Sequence, residues 1–165
     1  MIIPIVSVVG RSGSGKTHLI CGLISELKRR GYRVATIKHD VHGFNIDHPG
    51  KDSWKHAEAG ADTVVISSLK QVAMIEKAPL ELTLDQVIDK INNVDIILSE
   101  GYKHNDKPKI EVFRSTVHGK TLCSAADGLL AVASDITPEL GVPVFGLDDY
   151  PAMVDLIESR ILLKS

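Results

Sequence analysis

Ile5-Val6-Ser7-Val8-Val9-Gly10-Arg11-Ser12-Gly13-Ser14-Gly15-Lys16-Thr17 decides how the rest of the chain is read. A mostly apolar strand runs into G-x-x-x-x-G-K-T, the spacing of a phosphate-binding loop. A nucleoside triphosphate carries several negative charges and needs donors that can come close. Gly10, Gly13 and Gly15 let the backbone curl with no Cβ in the way. The main-chain N–H groups then turn inward as an anion nest. The helix that follows adds its first N–H groups and the positive end of its dipole. Arg11, Ser12, Ser14 and His18 complete the candidate binding stretch. Lys16 is the candidate for the outer phosphates, and the Thr17 hydroxyl the candidate ligand of Mg²⁺.

The chain around this loop has 165 residues, which predicts one nucleotide-binding domain over 1–165 with a proper core. Its 44% hydrophobic and 24% charged residues are ordinary for a soluble globular protein. A net charge of −2 gives no broad electrostatic case for nucleic acid or an anionic membrane. No run is long enough to cross a bilayer. Residues 1–9 lack a basic leader and are better used as a core strand. Cys21 and Cys123 read as plain core thiols in a reducing compartment, hence a cytoplasmic chain.

Downstream of the loop, Leu19, Ile20, Leu23, Ile24 and Leu27 recur at helical spacing. Lys28, Arg29 and Arg30 suit the last turn, and Gly31 suits the position just past it. Strand two spans 33–38. The polar stretch 41–51 has no period and reads as a long loop with a task of its own. A short helix capped by Asp52 or Ser53 follows, closed by Gly60. Residues 61–67 and 71–76 flank a turn and predict an antiparallel hairpin. Thr83 caps a helix carrying Leu84, Val87, Ile88 and Ile91. Strands follow at 94–99, 109–114, 129–133 and 142–145, and Pro151 opens a closing helix. Apolar strands alternating with helices predict an α/β fold, a mostly parallel sheet covered on both sides, with the hairpin at one edge.

In such sheets ligands gather at the carboxyl ends of the strands. Asp95 opens its strand and Glu100 closes it, roughly 16 Å apart at ~3.3 Å per residue. Glu100 is therefore the candidate to hold Mg²⁺ beside Thr17, and Asp95 is structural. Asp40, just past strand two, falls on the same side as Glu100. Thr17, Asp40 and Glu100 are the candidate metal residues, and Lys16, Asp40 and Glu100 the candidate catalytic ones. Ser134-Asp135 ends a strand, where the Asp135 carboxylate either accepts the N–H edge of guanine or caps a turn. Lys103, Lys107, Lys109 and Arg114 read as a solvated basic edge or as a second anion site. His39-x-x-His42, with His48 and His56, is a weak pattern for a transition metal, because no further ligand completes a known spacing.

Taken together these residues resemble the MobB family of molybdopterin-guanine dinucleotide biosynthesis adaptor proteins. The resemblance rests on Gly10 to Thr17, on Ile37-Lys38-His39-Asp40-Val41-His42, and on Asp47-His48-Pro49-Gly50-Lys51-Asp52-Ser53-Trp54 with Ala59-Gly60-Ala61. It rests further on Ser99-Glu100-Gly101-Tyr102-Lys103 and on Ala131-Val132-Ala133-Ser134-Asp135. The loop alone is generic; the P-G-K-D-S block together with S-E-G-Y-K is specific. The resemblance implies a P-loop NTPase three-layer sandwich that binds GTP and Mg²⁺. It also implies a usually dimeric protein with weak GTPase activity, assisting the guanylyltransferase that joins GMP to molybdopterin. His18 departs from the pattern, where a second Thr commonly follows Lys-Thr.

Hydrolysis at such a site is expected to rest on charge stabilisation and water positioning. Arg11 is either a group for developing charge or a free surface arginine. With no strong general base in the pattern, unaided turnover is expected to be slow. The rivals are a small-molecule kinase, for which an arginine-rich lid is missing, a metallochaperone-type GTPase, and a binding module in which nucleotide acts as a clamp.

Overall fold

The computed structural model of the chain describes residues 3–102, 105–117 and 119–163. Met1 and Ile2 of the predicted first strand, and Lys103 and His104 of the predicted motif and basic edge, lie outside the described residues. In chain order the elements are β1 (Ile5–Val9), α1 (Lys16–Arg29), β2 (Val34–Lys38), α2 (Asp52–Glu58), β3 (Thr63–Ser67), β4 (Val72–Glu76) and α3 (Leu84–Ile88). They continue as β5 (Ile96–Glu100), β6 (Lys109–Phe113), β7 (Leu129–Ser134), β8 (Val144–Phe145) and α4 (Tyr150–Ile157). A single π-helical turn, Glu158–Leu162, prolongs α4. The chain divides into two compact units, one of Met1–His39 with Leu84–Ser165 and one of Asp40–Thr83.

The first unit holds a six-stranded, all-parallel sheet in the order β2-β5-β1-β6-β7-β8. One face carries Val6, Val8, Ile96, Leu98, Ile110, Val112, Ala131 and Ala133, packed against Leu19, Leu23 and Leu27 of α1 and Met153, Val154 and Ile157 of α4. The burial of these side chains is the main force holding the layers together. On the opposite face Leu84 of α3 covers Ile5, Ile37 and Ile97, while Phe113, Leu129 and Val132 form a third cluster. Between those clusters the buried face is polar. The Ser7 and Ser99 hydroxyls bond at 2.8 Å, and Asn105 Nδ2 donates to Ser7 Oγ.

Helix α1 ends as its sequence predicts. Gly31 has φ +93°, a conformation that costs glycine little. Its N–H donates to the Lys28 carbonyl and the Tyr32 N–H to the Leu27 carbonyl, which satisfies two of the last carbonyls of the helix. Glu26, buried on the same helix, accepts from Arg29 and Arg30 at 2.7 Å. Arg30 also donates to Asp155 and Glu158, tying α1 to α4 and its extension. The Arg29 and Arg30 hydrogen bonds hold the Glu26 carboxyl down at about 2.

Three expectations change. The hairpin β3–β4 forms antiparallel, but as a two-stranded sheet of its own in the second unit. Its strands pair only with each other among the described residues; the Ser68–Gln71 turn bonds locally and α2 lies against β3. Cys21 is exposed and Cys123 only half-buried. The buried stripe of α1 runs through 19, 20, 23, 26 and 27, which leaves position 21 on the outer side. Among the described residues of the basic edge, Lys107 and Lys109 are not available cations either. Lys107 pairs with Asp85 at 2.7 Å and Asp106 at 3.3 Å, and Lys109 is buried with its ammonium donating to the Asn105, Lys107 and Asp127 carbonyls.

Candidate functional site

The loop between β1 and α1 lies at the carboxyl edge of the sheet, beside the strand ends of β5 and β6. Gly10 and Gly13 take φ +154° and +76°, and Gly15, at +101°, starts α1 with no side-chain cap. Space as well as dihedral requires glycine at position 10. A Cβ there would come within 2.6 Å of Ser14 Oγ and 2.8 Å of the Val112 carbonyl oxygen. The loop thus closes tightly enough that only a bare backbone fits.

Ser14 is fully buried, and its Oγ has no hydrogen-bond partner among the described residues. A buried hydroxyl without a partner costs free energy on the order of 1–3 kcal/mol, which an acceptor or donor placed there would offset. Arg114 braces the loop from the end of β6, its Nε donating to the Ser14 carbonyl at 3.0 Å. Lys16 lies back over the loop, Nζ donating to the Arg11 carbonyl at 3.1 Å.

Thr17 and Glu100 meet as the sequence predicts. The Thr17 hydroxyl donates toward the Glu100 carboxylate, 3.3 Å from each oxygen. Glu100 ends β5, which pairs directly with β1, so the register Val8↔Glu100 sets this approach. Asp95, at the other end of β5, accepts from Arg33 at 2.7 Å, and those hydrogen bonds lower its carboxyl to about 2. After Glu100 the backbone turns sharply: Gly101 has φ +99° and Tyr102 φ +34°. A Cβ on Gly101 would come within 2.9 Å of His39, whose ring stacks on Tyr102 at 4.3 Å.

The remaining predicted residues divide. Asp40 belongs to the second unit and accepts the His42 N–H at 2.9 Å. The Asp135 carboxylate accepts from the Ser115 N–H at 2.9 Å and the Ser115 hydroxyl at 3.1 Å, which lowers its pKa and braces the turn after β6. His18 bonds Asp148 at 2.8 Å and lies 3.0 Å from the Tyr150 hydroxyl, two partners that no local pattern marks. Among the described residues no group of three or more His, Cys, Asp or Glu could hold a metal ion. No helix among them is long and apolar enough to cross a membrane.

The family model described as molybdopterin guanine dinucleotide synthesis protein B, MobB, matches residues 5–135. The chain belongs to the MobB family. The molybdopterin-guanine dinucleotide biosynthesis adapter protein of Haemophilus influenzae is 35% identical over 159 residues, covering 95% of this chain and 89% of its own length. Its Escherichia coli counterpart is 34% identical over 161 residues, covering 94% and 92%. The crystal structure of Bacillus subtilis MobB superposes with a TM-score of 0.72 at 27% identity, covering 96% of this chain and 98% of that one. Membership gives this MobB chain an adapter's part in molybdopterin guanine dinucleotide biosynthesis and confirms the P-loop fold. The matched segment stops at Asp135, so Asp148 and Tyr150 lie beyond it.

Proposed function

We propose that this chain binds GTP with Mg²⁺ on Gly10 to Thr17 and hydrolyses it slowly. It does so in the cytoplasm as a homodimeric adapter of the guanylyltransferase that joins GMP to molybdopterin, with molybdopterin itself a second candidate ligand. The observation that carries the reading is the buried, unpartnered Ser14 hydroxyl inside a loop only glycine can close. A phosphate oxygen is the partner such a hydroxyl lacks, and an anion nest at a helix start is where one binds.

Lys16 leaves the Arg11 carbonyl for a phosphate, exchanging a neutral acceptor for a charged one. The facing Thr17 hydroxyl and Glu100 carboxylate suit a hard cation that takes oxygen ligands. Mg²⁺ bound there would neutralise charge on the phosphate oxygens. Asp40 stands as a second metal residue on the strength of the sequence. Arg11 is the candidate for charge that develops during hydrolysis. Glu100 is committed to Thr17, which fits slow turnover without the partner enzyme.

Lys16→Ala tests the reading directly. Calorimetry is expected to show GTP affinity lost by at least about a hundredfold, the scale of a charge-assisted contact or two. Unchanged affinity would remove the assignment. Release of phosphate from GTP, measured with and without the guanylyltransferase, separates slow hydrolysis from a pure clamp.

A further inference from the structure

We propose that Asp148 reads the base of the bound nucleotide, accepting the N1–H and N2–H of guanine. The proposal rests on the triphosphate reading above and names the group that gives the site its base preference. Strand order sets the direction. Glu100, on the metal side, ends β5, which flanks β1 on one side. We place the nucleoside end of the ligand on the other side, toward β6, β7 and β8, along the carboxyl edge where ligands of such sheets gather. The residues just past those strands are Arg114, Asp135 and, after a short turn, Asp148. Arg114 stands beside the loop itself, within 3.4 Å of where a Cβ on Gly15 would lie. His18, next in chain to Thr17, reaches Asp148 directly.

Two carboxylates therefore border the path, and their commitments differ. Both oxygens of Asp135 accept from Ser115. Asp148 takes both of its contacts on Oδ1, from His18 Nε2 and from the Tyr150 hydroxyl at 2.8 Å, and its side chain is 73% exposed. Guanine offers two adjacent donors, N1–H and the exocyclic amine, which fit one carboxylate. Adenine turns a ring-nitrogen lone pair to the same place, which a carboxylate repels.

The surroundings keep Asp148 suited to that task. The His18 and Tyr150 hydrogen bonds lower its pKa, so it stays an acceptor. Burial and Asp148 raise the Tyr150 hydroxyl to about 12, so it stays a donor. Gly22 makes the space for this arrangement: a Cβ there would come within 2.1 Å of the Tyr150 ring.

The test is a calorimetric titration of the full chain with GTP, ATP and xanthosine triphosphate in Mg²⁺, on the parent, Asp148→Asn and Asp135→Asn. An asparagine amide donates to the C2 carbonyl of xanthine where a carboxylate would repel it. Asp148→Asn is expected to shift the GTP-to-xanthosine-triphosphate affinity ratio toward xanthine by about a hundredfold, while ATP, relieved of the carboxylate's repulsion, binds no more weakly than to the parent. A shift below about tenfold, an equal loss of GTP and ATP, or the switch appearing in Asp135→Asn overturns the proposal. Lys16→Ala, run alongside, keeps the two readings apart. Its retention of GTP would sink the triphosphate site, whereas its loss of GTP with no base effect in Asp148→Asn sinks only this assignment.

Discussion

Glu111 shows how far one residue can depart from its sequence pattern. Lys109-Ile110-Glu111-Val112-Phe113 alternates polar and apolar, which reads as a strand with one face in water. Instead Glu111 is 1% exposed and accepts the Leu122 and Cys123 N–H groups at 2.7 and 2.9 Å. Its carboxylate secures the segment after β6 from beneath. Glu111→Gln keeps the size but sets an amide donor against one of two N–H donors. The expected loss is about 2 kcal/mol of unfolding free energy, read from urea midpoints. A change within about 0.5 kcal/mol would mean that the segment is held by something else. The loop pattern was legible because phosphate chemistry fixes residue types at close spacing, and the approach of Glu100 to Thr17 because Glu100 closes a strand at the carboxyl edge. Glu111, Lys109 and the His18–Asp148–Tyr150 group were not. Their partners lie in segments without a period, up to 132 positions away, and nothing local marks the pairing.

At the scale of elements, the strands and the Gly31 helix stop follow from apolar runs and glycine placement, whereas the contacts that join elements do not. Gly22 is the sharpest case. Glycine inside a helix costs about 1 kcal/mol relative to alanine, so Gly22→Ala would stabilise an isolated α1. Here the added Cβ would displace the Tyr150 ring at the start of α4. Overpacking of that kind costs about 1–3 kcal/mol, so the clash wins and the melting midpoint is expected to fall. A rise would show that Tyr150 swings aside freely. The charged join between α1 and α4 gives a second expectation. Glu26 moves from 4.5 to about 2 in the folded chain, and Asp95 from 3.8 to about 2. Both pKa values are lowered, so the unfolded chain binds these protons first. Their stabilisation is complete above about pH 4.5 and fades as pH falls toward 2. Thermal melts across that window should decline in the parent and decline less steeply in Glu26→Gln. Parallel curves would exclude Glu26 as a source of the acid lability.

At the scale of the whole molecule, the second unit raises the question of what completes it. A two-stranded sheet seldom holds by itself in water. In 40–83 the β3–β4 pair turns Val64 and Ile75 to the side lined by Trp54 and Ala57 of α2. Its other side carries Val65 and Met74 opposite one another, 56% and 65% exposed, with Val72 beyond them. An apolar face that size on so small a unit favours a covering partner, and a two-fold copy of the same face supplies one of matching chemistry. The chain is therefore expected to sediment as a dimer at micromolar concentration. Replacing both residues with like charges would also split the hairpin, which would confuse the result. Val65→Lys with Met74→Glu avoids that, because opposite charges across a strand pair support it while removing the apolar surface. The double variant should sediment as a monomer with an unchanged circular dichroism spectrum. A variant that stays dimeric would place the self-contact elsewhere on the chain, and one that loses its spectrum would show that Val65 and Met74 serve the hairpin itself.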